Sequence, residues 1–86
     1  GRIGVKLTPE VAGKLKTKLA EEPDEIGGRR IESINRIDGV KFLFGNDAWM
    51  LMRPSGTEPL VRIYAESETK EDLEELLEQG RRYLLG

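Results

Sequence analysis

The sequence predicts an α+β fold: a four-stranded, mainly antiparallel sheet with two helices packed on one face, in the order α-β-β-β-β-α. Three features point there. Two segments, 8–20 and 69–84, carry apolar residues at three- and four-residue steps. Between them, the apolar residues of 40–44 and 60–65 alternate, which is the period of a half-buried strand. Polar or glycine-containing breaks at 38–39, 45–47 and 54–59 separate the apolar runs. One sheet covered on one side by both helices buries all of these stripes together.

The first helix starts at Thr8-Pro9-Glu10. Thr8 can cap it, Pro9 already has the φ that the first turn wants, and Glu10 suits the positive end of the dipole. Val11, Leu15 and Leu19 form its stripe, and Glu21-Glu22-Pro23 ends it near Ala20. Pro23 to Arg30, with Gly27-Gly28 inside, reads as a loop. Ile31 to Ile37 is ambiguous. Its isoleucines are three apart, as on a helix, but the segment is short and β-branched, and it is read as a strand. Asp38-Gly39 is a two-residue hairpin signal, and Val40, Phe42 and Phe44 alternate after it. After the turn at Gly45-Asn46-Asp47, Ala48 to Arg53 is apolar until its last residue and reads as a buried strand. Trp49, in parity with Leu51, is expected in the core. Leu60 to Ala65 is the fourth strand, with Val61 and Ile63 on one face and Leu60, Arg62 and Tyr64 on the other. The second helix runs from Thr69 to Leu84, with acids in its first turns and Arg81-Arg82 in its last. Gly80 interrupts its leucine stripe at a cost of about 1 kcal/mol relative to alanine, and close packing is the only sequence-level reason for it.

Eighty-six residues suit one domain with a modest core. The chain opens on Gly1, so residues 1–7 are expected to be a linker or tag remnant and 8–86 the domain. No run approaches the ~20 apolar residues that span a bilayer. With neither cysteine nor histidine, disulfides, thiol nucleophiles and thiolate or imidazole metal sites are excluded. The cysteine-free composition fits a cytoplasmic chain. A net charge of −2 with no basic stripe argues against nucleic acid as partner. Any anion must therefore be held by a local site.

The segment Arg53-Pro54-Ser55-Gly56-Thr57-Glu58-Pro59 carries such chemistry. Arg53 offers a planar fork of N–H donors, and Ser55 and Thr57 offer hydroxyls. Gly56 leaves backbone amides free to converge on an anion. Pro54 and Pro59 stiffen both ends, so less entropy is lost on binding. A tetrahedral oxyanion such as phosphate fits this set, and Arg62 on the next strand can reach it too. Arg62 could equally pair with Glu66 or another acid. Glu58 would repel a phosphate unless it turns toward an arginine or toward sugar hydroxyls. Tyr64 shares parity with Arg62 and could stack on a sugar, as Trp49 could if it left the core. Arg29, Arg30 and Lys41 read as solvated charges, and the acidic run 68–78 has no metal-ligand spacing.

The stretch Arg53–Pro59, continuing Leu60-Val-Arg-Ile-Tyr-Ala-Glu66, resembles the C-terminal phosphate-binding signature of the α-D-phosphohexomutases, the phosphoglucomutase/phosphomannomutase family. Gly39-Val40, the Trp49 strand and the closing leucine-rich helix resemble the rest of that family's last domain. The resemblance extends from about Thr8 onward. It implies an enzyme of four domains that interconverts sugar 1- and 6-phosphates through a bisphosphorylated intermediate. A phosphoserine in the first domain, a Mg²⁺ loop in the second and a sugar-reading third domain would lie outside this chain. Arg53, Ser55, Gly56 and Thr57 would hold the non-reacting phosphate, with Arg62 as a further contact and Glu58 and Pro59 as support. By the same resemblance the chain binds no cofactor itself and is not catalytic alone. Mg²⁺ and a glucose 1,6-bisphosphate activator belong to the full enzyme. The partners implied are a phosphosugar and the other three domains. Two alternatives stay open: a phosphoglucosamine mutase C-terminal domain, or a stand-alone module for anions or phosphoproteins.

Overall fold

The structure, a computed structural model, describes residues 1–85. Its elements are β1 (Arg2–Lys6), α1 (Pro9–Ala20), β2 (Glu25–Ile26), β3 (Arg29–Arg30), β4 (Ser33–Asn35), β5 (Val40–Gly45), β6 (Ala48–Pro54), β7 (Leu60–Glu66) and α2 (Lys70–Leu85). The main sheet has five strands in the order β1-β7-β6-β5-β4, and every neighbouring pair is antiparallel. A separate two-stranded ribbon joins β2 to β3.

The expected class holds, but the strand count is five rather than four. The added strand is β1, which lies where a linker was expected. Ile3 and Val5 turn toward the core while Arg2, Gly4 and Lys6 stay exposed, and all five residues pair with β7 from Tyr64 to Leu60. The expected loop at 23–30 contains the β2–β3 hairpin. Its turn is Gly27-Gly28 with φ of +59° and +81°, the doubly left-handed turn that glycine adopts without strain. The expected strand over 31–37 contracts to Ser33–Asn35. Ile37 lies outside it, 83% exposed. The Asp38-Gly39 signal does not close a two-residue hairpin either, because the last β4–β5 pair is Asn35 with Lys41. A tight turn does form at Asn46-Asp47, where both residues are left-handed and Gly45 pairs with Ala48.

α1 is capped as expected, with Thr8 Oγ1 accepting from the Val11 amide at 3.2 Å. The core lies between the helices and one face of the sheet. Phe42, Met50, Met52, Val61 and Ile63 from the strands meet Leu76 and Leu84 from α2, all at 0–1% exposure. Burial of each such side chain stabilises by about 1.5–3 kcal/mol. Gly80 has its reason here. A β-carbon on it would lie 2.6 Å from Met50 Sδ and 3.3 Å from Ile63 Cγ2, so the missing side chain lets α2 lie directly on β6 and β7. The Arg29 guanidinium fastens the small hairpin to α2 by pairing with Asp72 and Gln79. That pairing, with the Ser67 hydroxyl, holds the Asp72 carboxyl below the usual carboxylate range.

Tyr83 packs edge-on against Phe42 at 6.0 Å, and its single hydroxyl proton is shared between the Glu21 carboxylate at 3.0 Å and the Lys18 carbonyl at 3.1 Å. Burial first, and then the Glu21 carboxylate, push its phenol up to about 12. A raised phenol favours the protonated form in the folded state. Its contribution to stability is therefore complete below about pH 10 and lost as pH rises through about 12. Urea midpoints measured across this range should fall for the wild type, and the fall should be shallower in Tyr83→Phe. Parallel curves would contradict the assignment.

The face of the sheet away from the helices carries no helix. Ala48 to Met52 alternates between the two faces instead of being buried on both. The core position expected for Trp49 is therefore corrected. Met50 and Met52 take the inner face, and Trp49 and Leu51 the outer one. On that outer face Lys41 Nζ sits 4.5 Å over the Trp49 ring, and the indole N–H donates to Glu66 at 3.0 Å. Among the described residues no helix is long and apolar enough to cross a membrane.

Candidate functional site at the β6–β7 connection

β6 and β7 stay in register to the Pro54–Val61 pair, and this register sets the site. Arg53 and Arg62 face each other directly on the helix-free side of the sheet. Like charges directly opposite across strands cost up to about 1 kcal/mol. Arg62 has a partner, with its Nη2 donating to Glu58 Oε1 at 3.0 Å. This settles the geometry of Glu58, which turns to Arg62, while Glu66 is taken by Trp49. The Glu58 and Arg62 side chains are 53% and 34% exposed, so the pair is a surface one that contributes little. Arg53 is exposed, and its side chain has neither hydrogen bond nor ion pair among the described residues.

The loop is fixed by its own hydrogen bonds. The Ser55 amide donates to the Leu60 carbonyl at 2.9 Å, and the Leu60 amide to the Glu58 carbonyl at 2.8 Å. The Leu7 amide donates to the Pro59 carbonyl at 2.7 Å, tying the loop base to the segment after β1. Ser55 Oγ accepts from the amides of Thr57 at 3.3 Å and Glu58 at 3.2 Å. These amides converge as expected of a nest, but on the serine oxygen rather than on open space. The Ser55 hydroxyl proton is left to donate elsewhere. Gly56 has no left-handed φ, and a β-carbon there would meet nothing within 4 Å. Neither backbone conformation nor crowding therefore requires a glycine at this position.

A depression of about 370 Å³ is lined by Arg53, Pro54, Ser55, Gly56, Arg62 and Tyr64. Of the residues expected at the site, Arg53, Ser55, Gly56 and Arg62 come together there. Thr57, Glu58 and Pro59 are in the loop but not on its lining. Tyr64 joins it, two residues along the same face from Arg62. The two aromatics considered for a sugar are thus separated, since Trp49 lies toward the other end of β6. A second depression, of about 440 Å³, opens at that other end around Arg29, Phe44, Asn46 and Asp72. Its Arg29 is already held by Asp72 and Gln79, and Arg30 lines the same depression beside the Asp72 and Glu68 carboxylates, which disfavour an incoming anion.

Similarity to known proteins runs along nearly the whole chain. The family model for the phosphoglucomutase/phosphomannomutase C-terminal domain matches residues 9–82. A probable phosphoglucosamine mutase of Methanosphaera stadtmanae is 40% identical over 81% of this chain and 14% of its own length. A phosphoglucomutase/phosphomannomutase of Thermococcus kodakarensis is 40% identical over 92% of the chain and 17% of its own. A phosphopentomutase of the same organism is 33% identical over 92% and 18%. The chain thus spans less than a fifth of the length of each of these relatives. By both the matched family model and the identity of these relatives, the chain belongs to the phosphoglucomutase/phosphomannomutase family, as its C-terminal domain.

Proposed function

We propose that this domain holds the phosphate of a phosphosugar in the depression between Arg53 and Arg62, and that it takes no part in breaking or forming bonds to phosphorus. The observation that carries this reading is the cross-strand pairing of the two arginines. A fold gains nothing from setting two guanidinium groups opposite each other and leaving one without a partner, whereas a dianion gives both a use. Ser55 and Gly56 line the same depression, and a serine hydroxyl and a backbone amide are neutral donors suited to an oxyanion.

The relatives support a phosphate rather than a sugar as the recognised part. Their names cite a glucosamine, a glucose or mannose, and a pentose, yet all align with this one domain. A cradle of hydroxyl, amide and guanidinium groups is indifferent to the carbon that bears the phosphate. In a parent mutase it could therefore accept a 1- or a 6-phosphate in alternate half-reactions, and help the cleft to close by binding a group remote from the reacting centre. Among the described residues no three of His, Cys, Asp and Glu gather as a metal-holding group.

Two or three charge-assisted bonds at about 1.5–3 kcal/mol each, set against association entropy, give roughly millimolar affinity. The test is a titration of the ¹⁵N-labelled chain with inorganic phosphate, glucose 1-phosphate, ribose 5-phosphate and glucose. The three phosphates should move the amides of Arg53 to Glu58 with similar affinity, and glucose should move none. A response to glucose, or to one sugar phosphate alone, would contradict the reading.

A further inference from the structure

Three strands and the turn before β5 contribute one residue each to a row across the helix-free face. Gly4 pairs with Arg62, Arg62 pairs with Arg53, and Gly39 stands beside Arg53, one residue before the Val40–Met52 pair. The two arginines are thus flanked on both outer sides by residues without side chains. The contact at Gly39 is the closer. Its φ is +111°, and a β-carbon there would lie 2.5 Å from the Met52 carbonyl oxygen and 3.4 Å from both Cα and Cβ of Arg53. Two of those atoms are backbone, so they cannot swing aside as the end of a flexible side chain does. Gly4 has no such contact, the nearest atom being a Leu60 methyl at 3.8 Å.

We propose that Gly39 is a positioning residue for Arg53: the turn before β5 presses its bare backbone against the Met52–Arg53 peptide and so fixes the direction in which the Arg53 side chain leaves the sheet. The proposal rests on the reading of this site as a phosphate holder. A guanidinium is a planar fork, and two-point contact with an oxyanion demands orientation as well as charge. A small displacement at Cα is magnified along a side chain of this length. A side chain at 39 must push the turn off β6 or rotate the Met52 carbonyl, and either movement re-aims Arg53.

The test compares Gly39→Ala with Gly28→Ala in the 86-residue chain, using inorganic phosphate as the probe. Gly28 is also left-handed, at φ +81°, but its β-carbon would meet nothing within 4 Å. It therefore carries comparable backbone strain without the contact. In the ligand-free state, Gly39→Ala should displace the amides of Arg53 to Glu58, and its phosphate affinity should fall about tenfold or more. Gly28→Ala should lose stability but leave those amides and that affinity unchanged. Unchanged phosphate binding in Gly39→Ala overturns the proposal, and so does an equal loss in Gly28→Ala. If phosphate moves nothing in the wild type, the phosphate reading falls. The ligand-free amides then decide whether Gly39 positions Arg53: displacement in Gly39→Ala alone upholds it, and no displacement overturns it. Should Gly39→Ala not fold, Gly39→Asn presents the same β-carbon on a residue that tolerates positive φ better, and carries the same outcomes.

Discussion

In Arg53→Ala, phosphate is expected to leave the amides of Ser55 to Glu58 unmoved at any concentration that shifts them in the wild type. Arg53 is the one arginine of the site without a partner among the described residues. Loss of a charge-assisted contact of about 1.5–3 kcal/mol weakens binding by roughly 10- to 150-fold. From a millimolar start, that puts the complex beyond reach. The same change relieves the repulsion between Arg53 and Arg62, so the variant should be as stable as the wild type or more so, by up to about 1 kcal/mol. Binding lost while stability holds or rises is what separates a functional arginine from a structural one. Arg53→Lys should fall between the two, since it keeps the charge and loses the fork. If Arg53→Ala keeps its phosphate response, the anion is held elsewhere.

Phe42→Ala should have the largest effect on the fold. Phe42 is fully buried, sits on β5 between Ile34 and Met50, and makes an edge contact with Tyr83. Truncation of such a side chain costs about 3–5 kcal/mol, transfer and cavity terms together. A chain of 86 residues has roughly 4–13 kcal/mol in all. The variant should therefore lose roughly a quarter or more of its stability, read as a fall in the urea midpoint with an unchanged slope. A loss under about 1 kcal/mol would mean that the cluster closes over the gap and that the core is looser than its burial suggests.

The parts of this fold legible in the sequence are those where the local physical signals do not conflict. Thr8-Pro9 marks a helix start because cap and φ preference agree. Val40, Phe42 and Phe44, like Val61 and Ile63, alternate against polar or half-buried neighbours, so their inner face is unambiguous. From Ala48 to Met52 both faces are apolar, and parity alone does not say which one meets the helices. Trp49 went to the outer face, where Lys41 and Glu66 serve its ring and its N–H. The β2–β3 ribbon has only two residues per strand, too few to show any period. β1 did alternate, Ile3 and Val5 against Arg2, Gly4 and Lys6, but two apolar residues beside a glycine are a weak signal at a chain end.

The site follows the same division. The donor types of 53–59 show in the composition of the segment. The facing of Arg53 and Arg62 depends on a β6–β7 register that only the folded turn fixes. Composition gives no sign that the Ser55 oxygen would occupy the point where the Thr57 and Glu58 amides converge. Nor does it tell that Gly39, fourteen residues before Arg53, would lie against it.

The most direct measurement is a crystal structure of the chain grown with excess glucose 1-phosphate. Phosphorus should lie between the Arg53 and Arg62 guanidinium groups, with the Ser55 hydroxyl and the Gly56 amide within hydrogen-bonding distance of its oxygens. A phosphate bound at the Arg29–Asn46 end of the sheet instead, with Arg53 extended into solvent, would contradict the assignment.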